Sequence, residues 1–136
     1  MKKLLSQKQA AVAMLVIFSL VLVFHTLVIT EVIPYTIVWG GRLNSRTEMI
    51  RFEVVSIAIN LFMFMIVAIH ARLLRIAISR NITRFFLWAM FVLFMLNTVG
   101  NLLSENEFEM LAFTPLTIIL SLLSLRLALD RNVEGI

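Results

Sequence analysis

Residues 10–30 read AAVAMLVIFSLVLVFHTLVIT, a stretch that contains no lysine, arginine, aspartate or glutamate. A helix needs about 20 apolar residues to cross the roughly 30 Å hydrocarbon layer of a bilayer. A surface helix of a soluble protein would alternate apolar and polar faces, whereas this stretch is apolar on nearly every face. The pattern therefore predicts a transmembrane helix.

Three further stretches are long and apolar enough for the same interpretation: Ile50–His70, Phe85–Leu103 and Met110–Leu129. We expect an all-α integral membrane protein, a four-transmembrane-helix bundle formed by a single membrane domain over residues 1–136. Its helices are predicted at about 10–33, 50–78, 85–103 and 106–129. Ser104 and Glu107 have capping-box spacing, which places the start of the fourth helix there.

The overall composition supports this fold class. Apolar residues make up 61% of the chain, charged residues 15%, and the mean hydropathy is +1.00. Soluble domains carry roughly 45–50% apolar and about 25% charged residues. A soluble fold of this length has too little interior to hide so much apolar surface. The chain has no cysteine, which excludes disulfides, thiolate metal sites and cysteine nucleophiles.

The basic residues predict the orientation, because cytoplasmic flanks of membrane helices are enriched in lysine and arginine. Nine would lie on the side of the two termini, against three on the other: Lys2, Lys3, Lys8, Arg72, Arg75, Arg80, Arg84, Arg126 and Arg131, against Arg42, Arg46 and Arg51. We expect cytoplasmic N- and C-termini, in a bacterial cytoplasmic (inner) membrane. The basic residues flank apolar runs instead of forming one basic element, so no nucleic-acid partner is expected despite a pI near 10.4.

Polar residues at membrane depth are informative because a polar group facing lipid costs free energy. His25 and Asn60 lie within the first and second predicted helices. We expect Asn60 to bond to another helix, and His25 either to relay protons or to bond to a threonine or asparagine. The fourth helix carries small residues at heptad-like spacing, which predicts a packing face: Thr114, Thr117, Ser121, Ser124 and Ala128.

A larger polar group is predicted where the helices reach the outer surface. Asn97, Asn101 and Glu105 recur every four residues and would share one face of the third helix. Glu31 ends the first helix at the same depth and should pair with Arg51 or Arg42. The candidate ligand-binding residues are Glu31, Tyr35, Trp39, Arg42, Arg51, Glu53, Asn97, Asn101 and Glu105. The alternative is a clamp that only ties the helix ends together.

No catalytic, phosphate-binding or dinucleotide-binding motif is present in the sequence. This favours a non-enzymatic accessory or binding protein with a polar site at the outer membrane face. A small homo-oligomeric transporter is the alternative, and an intramembrane enzyme is the second alternative. We expect no cofactor and no metal. The expected partners are the lipid bilayer, a lipid or small amphiphilic ligand, and further copies of the chain or a larger membrane complex.

The orientation is testable with reporter fusions. A reporter fused after residue 136 should be active on the cytoplasmic side, and one inserted near Asn44 on the opposite side, because the basic asymmetry fixes the insertion. Reporters that require oxidising or reducing conditions distinguish the two locations. An exported carboxyl terminus would contradict the predicted topology.

Overall fold

The computed structural model describes residues 6–34, 45–103 and 107–129, without the side chains of 108 and 109. These residues form four helices: α1 (Gln7–Ile29), α2 (Arg46–His70), α3 (Arg80–Leu102) and α4 (Glu107–Leu129). Each is long and apolar enough to cross a membrane, and no strand occurs within the described ranges. The prediction of an all-helical fold with four helices long and apolar enough to span a membrane is confirmed, and these helices indicate an integral membrane protein.

Serine residues begin three of the helices. The Ser6 hydroxyl accepts a hydrogen bond from the Gln9 backbone N–H, and the Gln9 side chain accepts one from the Ser6 backbone, which completes a capping box. Ser45 and Ser79 cap α2 and α3 in the simpler way. These caps satisfy N–H groups that have no partner inside a helix. Ser104 lies outside the described residues, so the predicted cap of α4 stays a prediction.

The helix ends differ from the predicted bounds most clearly in α2, which ends at His70 and not near 78. The chain leaves it through a Schellman turn, in which the N–H of Arg72 donates to the Ile69 carbonyl and that of Leu73 to the Ala68 carbonyl. Arg72 takes a left-handed φ of 62° at a position where glycine is common. Since no glycine marks this turn, the apolar residues after it resemble a continuing helix.

Two ends of the bundle can be distinguished. We call the end with Gln7, His70, Arg80 and Leu129 the basic end, and the end with Ile29, Arg46, Leu102 and Glu107 the acidic end. Toward the basic end all four helices meet in one apolar core, where the rings of Phe18 and Phe94 lie 6.1 Å apart. A smaller apolar cluster around Val28 and Met49 joins α1 to α2 at the acidic end.

The helix pairs are not equally close. α3 packs most extensively on α4, and α1 on α2, while the contacts between the two pairs are fewer. The predicted small-residue face of α4 is confirmed as buried at Thr117, Ser121, Ser124 and Ala128. Pro115 lies inside α4, as expected.

Hydroxyl groups on these helices bond back to their own backbone. Ser19, Thr26, Thr98 and Ser124 each donate to the carbonyl four residues earlier, at 2.8 Å. This pattern removes the cost of an unsatisfied hydroxyl in a hydrocarbon environment without needing a second helix. A helix face that carries such a hydroxyl can therefore contact either lipid or a neighbouring helix.

The buried small-residue face of α4 yields a prediction. Replacing Ser121 with Leu should lower the free energy of unfolding by about 1–3 kcal/mol, because the site is 1% exposed and overpacking forces the helices apart. Thermal unfolding of the purified chain measures this. Ile119→Phe is the matched control, since Ile119 is 47% exposed on the same helix and tolerates added bulk. Equal losses of unfolding free energy in the two variants would contradict a packing role for the small-residue face of α4.

Candidate functional site

A cavity of about 560 Å³ lies between the four helices, in the part of the bundle nearer the acidic end. Its volume falls within the roughly 300–1,000 Å³ of small-molecule sites. Most of the lining is apolar, and Phe24 of α1 packs edge-on against Phe113 of α4 at one wall, with ring centroids 5.0 Å apart. Seven polar residues also line it: His25, Glu53, Ser56, Asn60, Asn97, Asn101 and Thr117.

The most consequential polar contact is between His25 and Glu53. The Nδ1 atom of His25 lies 2.5 Å from Oε2 of Glu53, which joins α1 to α2. The Glu53 side chain is fully buried, and that of His25 is 15% exposed. An ionisable side chain at this depth is costly unless it has a partner, so the contact stabilises both the helix pair and the position of the carboxyl group.

Asparagine side chains provide most of the remaining polarity. The Asn101 amide donates to the Thr117 hydroxyl of α4 at 3.4 Å, and Asn97 lies one turn deeper on the same cavity-lining face of α3. The Asn60 amide donates to the Ser56 carbonyl of its own helix at 2.8 Å. The expected bond from Asn60 to another helix is therefore not the one observed, because the cavity, and not a packed helix, faces this residue.

The predicted polar group separates into two parts. Glu53, Asn97 and Asn101 line the cavity together with His25 and Asn60, which were predicted as separate intramembrane polar residues. Glu31 lies past the end of α1 with a left-handed φ of 66°, and its carboxylate accepts a hydrogen bond from Arg46 Nε at 3.1 Å.

Two details of the predicted group differ in the structure. The observed partner of Glu31 is Arg46, and not the predicted Arg51, because Ser45 starts α2 one turn earlier than expected and brings Arg46 to the end of α1. Arg51 is exposed on α2 and is not part of the cavity lining. Tyr35, Trp39, Arg42 and Glu105 lie outside the described residues, so their predicted roles stay predictions.

The pairing of His25 with Glu53 was not predicted. Depth gives a signal for it: His25 lies four residues before the end of α1, and Glu53 seven residues after the start of α2. At about 1.5 Å per residue, both lie roughly 6–10 Å below the acidic end. Within the described ranges, no group of three histidine, aspartate or glutamate side chains is placed to hold a metal ion.

The cavity combines hydrogen-bonding groups with a long apolar surface. The amides of Asn60, Asn97 and Asn101 can both donate and accept, while His25 and Glu53 occupy each other. Such a lining suits a molecule with a polar head and an apolar body. Comparison with known proteins adds no assignment, since no family model, no curated protein and no solved structure matches the chain.

The contact between α1 and α2 is testable. His25→Leu should lower the free energy of unfolding by about 3 kcal/mol or more, because it removes the imidazole partner of a buried carboxyl group. The double variant His25→Leu, Glu53→Leu should be more stable than that single variant, since both polar groups are then replaced by apolar ones.

Thermal unfolding in one fixed detergent measures all of these variants. Thr26→Val is the matched control, because Thr26 is exposed beside His25 and its hydroxyl donates to the Leu22 carbonyl of the same helix. Glu53→Leu completes the cycle, and a double variant whose loss equals the sum of the losses in His25→Leu and Glu53→Leu would show that the two side chains are not coupled.

Proposed function

We propose that this chain is a non-catalytic membrane protein that binds an amphiphile with an uncharged polar head in the cavity between its four helices. The observation that carries the proposal is the lining: polar side chains from all four helices converge on a cavity that is otherwise apolar. A cavity with these two kinds of surface favours a ligand whose two parts match them.

The charge of the lining favours an uncharged head. Glu53 is the only acidic and His25 the only basic side chain among the described lining residues, and they contact each other. A ligand carboxylate or phosphate near Glu53 would be repelled, and an ammonium would compete with His25 for the carboxyl group. Hydroxyl, ester or amide groups would instead bond to the asparagines, whose amides offer donors and acceptors together.

The proposal also includes an orientation. With both termini in the cytoplasm, the acidic end would lie at the outer face of a bacterial inner membrane, and the polar part of the cavity would be nearer that face. The polar lining extends from Asn101, next to the end of α3, to Asn60 near the middle of α2. An amphiphile would then enter from the outer leaflet, with its polar head toward the outer face of the membrane.

A homo-oligomeric transporter is the second candidate, and the contact between His25 and Glu53 favours it. Two ionisable side chains at membrane depth are a recurrent feature of proton-coupled carriers. Proteoliposomes containing a pH-sensitive dye in their lumen distinguish the candidates. A binding protein should leave an imposed proton gradient intact in the presence of 1-decanoylglycerol, whereas a carrier coupled to protons would dissipate it.

Gly100 allows a direct test of the cavity. It lines the cavity on α3, and a Cβ atom added there would have no heavy atom within 4 Å. Gly100→Leu should raise the melting temperature, because glycine inside a helix costs about 1 kcal/mol relative to alanine and the new side chain enters open space. It should weaken binding of 1-decanoylglycerol about tenfold, which corresponds to about 1.4 kcal/mol.

Native mass spectrometry counts the bound 1-decanoylglycerol, and thermal unfolding in nanodiscs measures its stabilising effect. Ala89→Leu is the matched control, since Ala89 is exposed on α3 and does not line the cavity. Failure of the wild-type chain to bind this probe, together with saturable binding of decyl phosphate or decylamine, would overturn the uncharged head. Unchanged binding by Gly100→Leu would overturn the location.

A further inference from the structure

A second cavity, of about 500 Å³, lies at the basic end and shares no lining residue with the cavity described above. It is formed by the connection between α2 and α3 and by the helix ends that this connection joins. Three arginines and three apolar residues of this region matter for its chemistry: Arg72, Arg75, Arg80, Leu74, Ile76 and Ile78. No aspartate or glutamate occurs among the described residues that line it.

Arg80 is held in place by groups from two other parts of the chain. Its Nη1 donates to the backbone carbonyl of His70 and its Nη2 to the Oε1 atom of Gln7, both at 2.9 Å. His70 is itself buried, and its Nδ1 lies 2.8 Å from the Thr83 hydroxyl. The guanidinium is thus fixed by α1 and α2 at the start of α3, with little freedom left to lose on binding a ligand.

Arg72 and Arg75 lie on the exposed connection. Arg72 occupies the left-handed position of the Schellman turn, where an L-residue costs about 1 kcal/mol relative to glycine. A strained backbone position occupied by a charged residue next to a cavity is consistent with a binding role for that side chain. The predicted role of these arginines in orienting the helices does not account for a cavity between them.

The apolar residues of the connection are exposed as well. Leu74 is 39%, Ile76 46% and Ile78 37% exposed, although none of the three belongs to a helix. A connection at the end of membrane-spanning helices lies at headgroup depth, where arginine reaches phosphates and isoleucine reaches the upper part of the acyl chains. The same few residues therefore present cationic and apolar groups side by side.

We propose that this basic-end cavity binds the phosphate headgroup of an anionic phospholipid. Arg72 and Arg75 would donate to the phosphate oxygens, because the planar guanidinium matches that group with two parallel hydrogen bonds, and the fixed Arg80 would add its positive charge at the wall of the cavity. Leu74, Ile76 and Ile78 would contact the acyl chains. This site is independent of the uncharged amphiphile proposed for the larger cavity, and neither proposal requires the other.

Native mass spectrometry of the full chain in one fixed detergent tests the proposal with dioleoylphosphatidylglycerol and dioleoylphosphatidylcholine. The wild type should bind the anionic lipid about tenfold more tightly than the zwitterionic one, and Arg75→Gln should remove most of this preference. Lys8→Gln is the matched control: it removes one positive charge from an exposed residue at the same end of the bundle. The control should keep the preference within about twofold.

Arg72→Gly separates a binding role from a structural one. Glycine relieves the left-handed backbone, so this variant should melt at a higher temperature than the wild type. At the same time it should bind the anionic lipid about tenfold more weakly, since it loses one guanidinium. A purely structural arginine would show no such loss of binding in a better-folded protein.

Three results would overturn the proposal. Equal binding of the two lipids by the wild type would exclude headgroup recognition. An equal loss in Lys8→Gln and Arg75→Gln would assign the preference to diffuse surface charge. Displacement of the anionic lipid by millimolar inorganic phosphate would assign the site to free phosphate, which carries the same oxygens without the acyl chains.

Discussion

Polar groups inside a hydrocarbon layer must find their partners within the protein, and this requirement explains most of the described structure. Hydroxyls within the helices, such as those of Ser19 and Ser124, bond back to the backbone of their own helices. Burying the Glu53 carboxyl group without a partner would cost free energy, and His25 of the neighbouring helix contacts it. That contact and the apolar cluster around Val28 and Met49 join α1 to α2.

Buried polar groups find their partners in different ways in the two halves of the bundle. Toward the basic end, Phe18, Leu87 and Leu127 belong to an apolar core, and the buried polar residues at that end include Gln7 and His70, which both accept hydrogen bonds from Arg80. Nearer the acidic end, asparagines and the pair of ionisable residues keep the helices from closing completely, and a cavity results. The main apolar core therefore lies in one half of the bundle, and the polar lining of the larger cavity lies in the other.

The number and nature of the helices were predictable, because a run such as residues 10–30 has no soluble alternative. The buried face of α4 was predictable too, since small residues such as Ser121 recur with a spacing that only packing explains. The end of α2 was not, because Arg72 stands where a glycine would have marked the turn. The contact between His25 and Glu53 depends on how two helices are rotated against each other, which hydrophobicity alone does not specify.

The unequal closeness of the helix pairs has a consequence for how the protein forms. α3 with α4, and α1 with α2, are neighbours in the chain as well as in space, so each pair can enter the bilayer as a hairpin before the two hairpins meet. The large cavity exists only after that second step, because all four helices contribute to its lining. A molecule held there would bridge the two hairpins, and its concentration would set the fraction of chains that complete assembly.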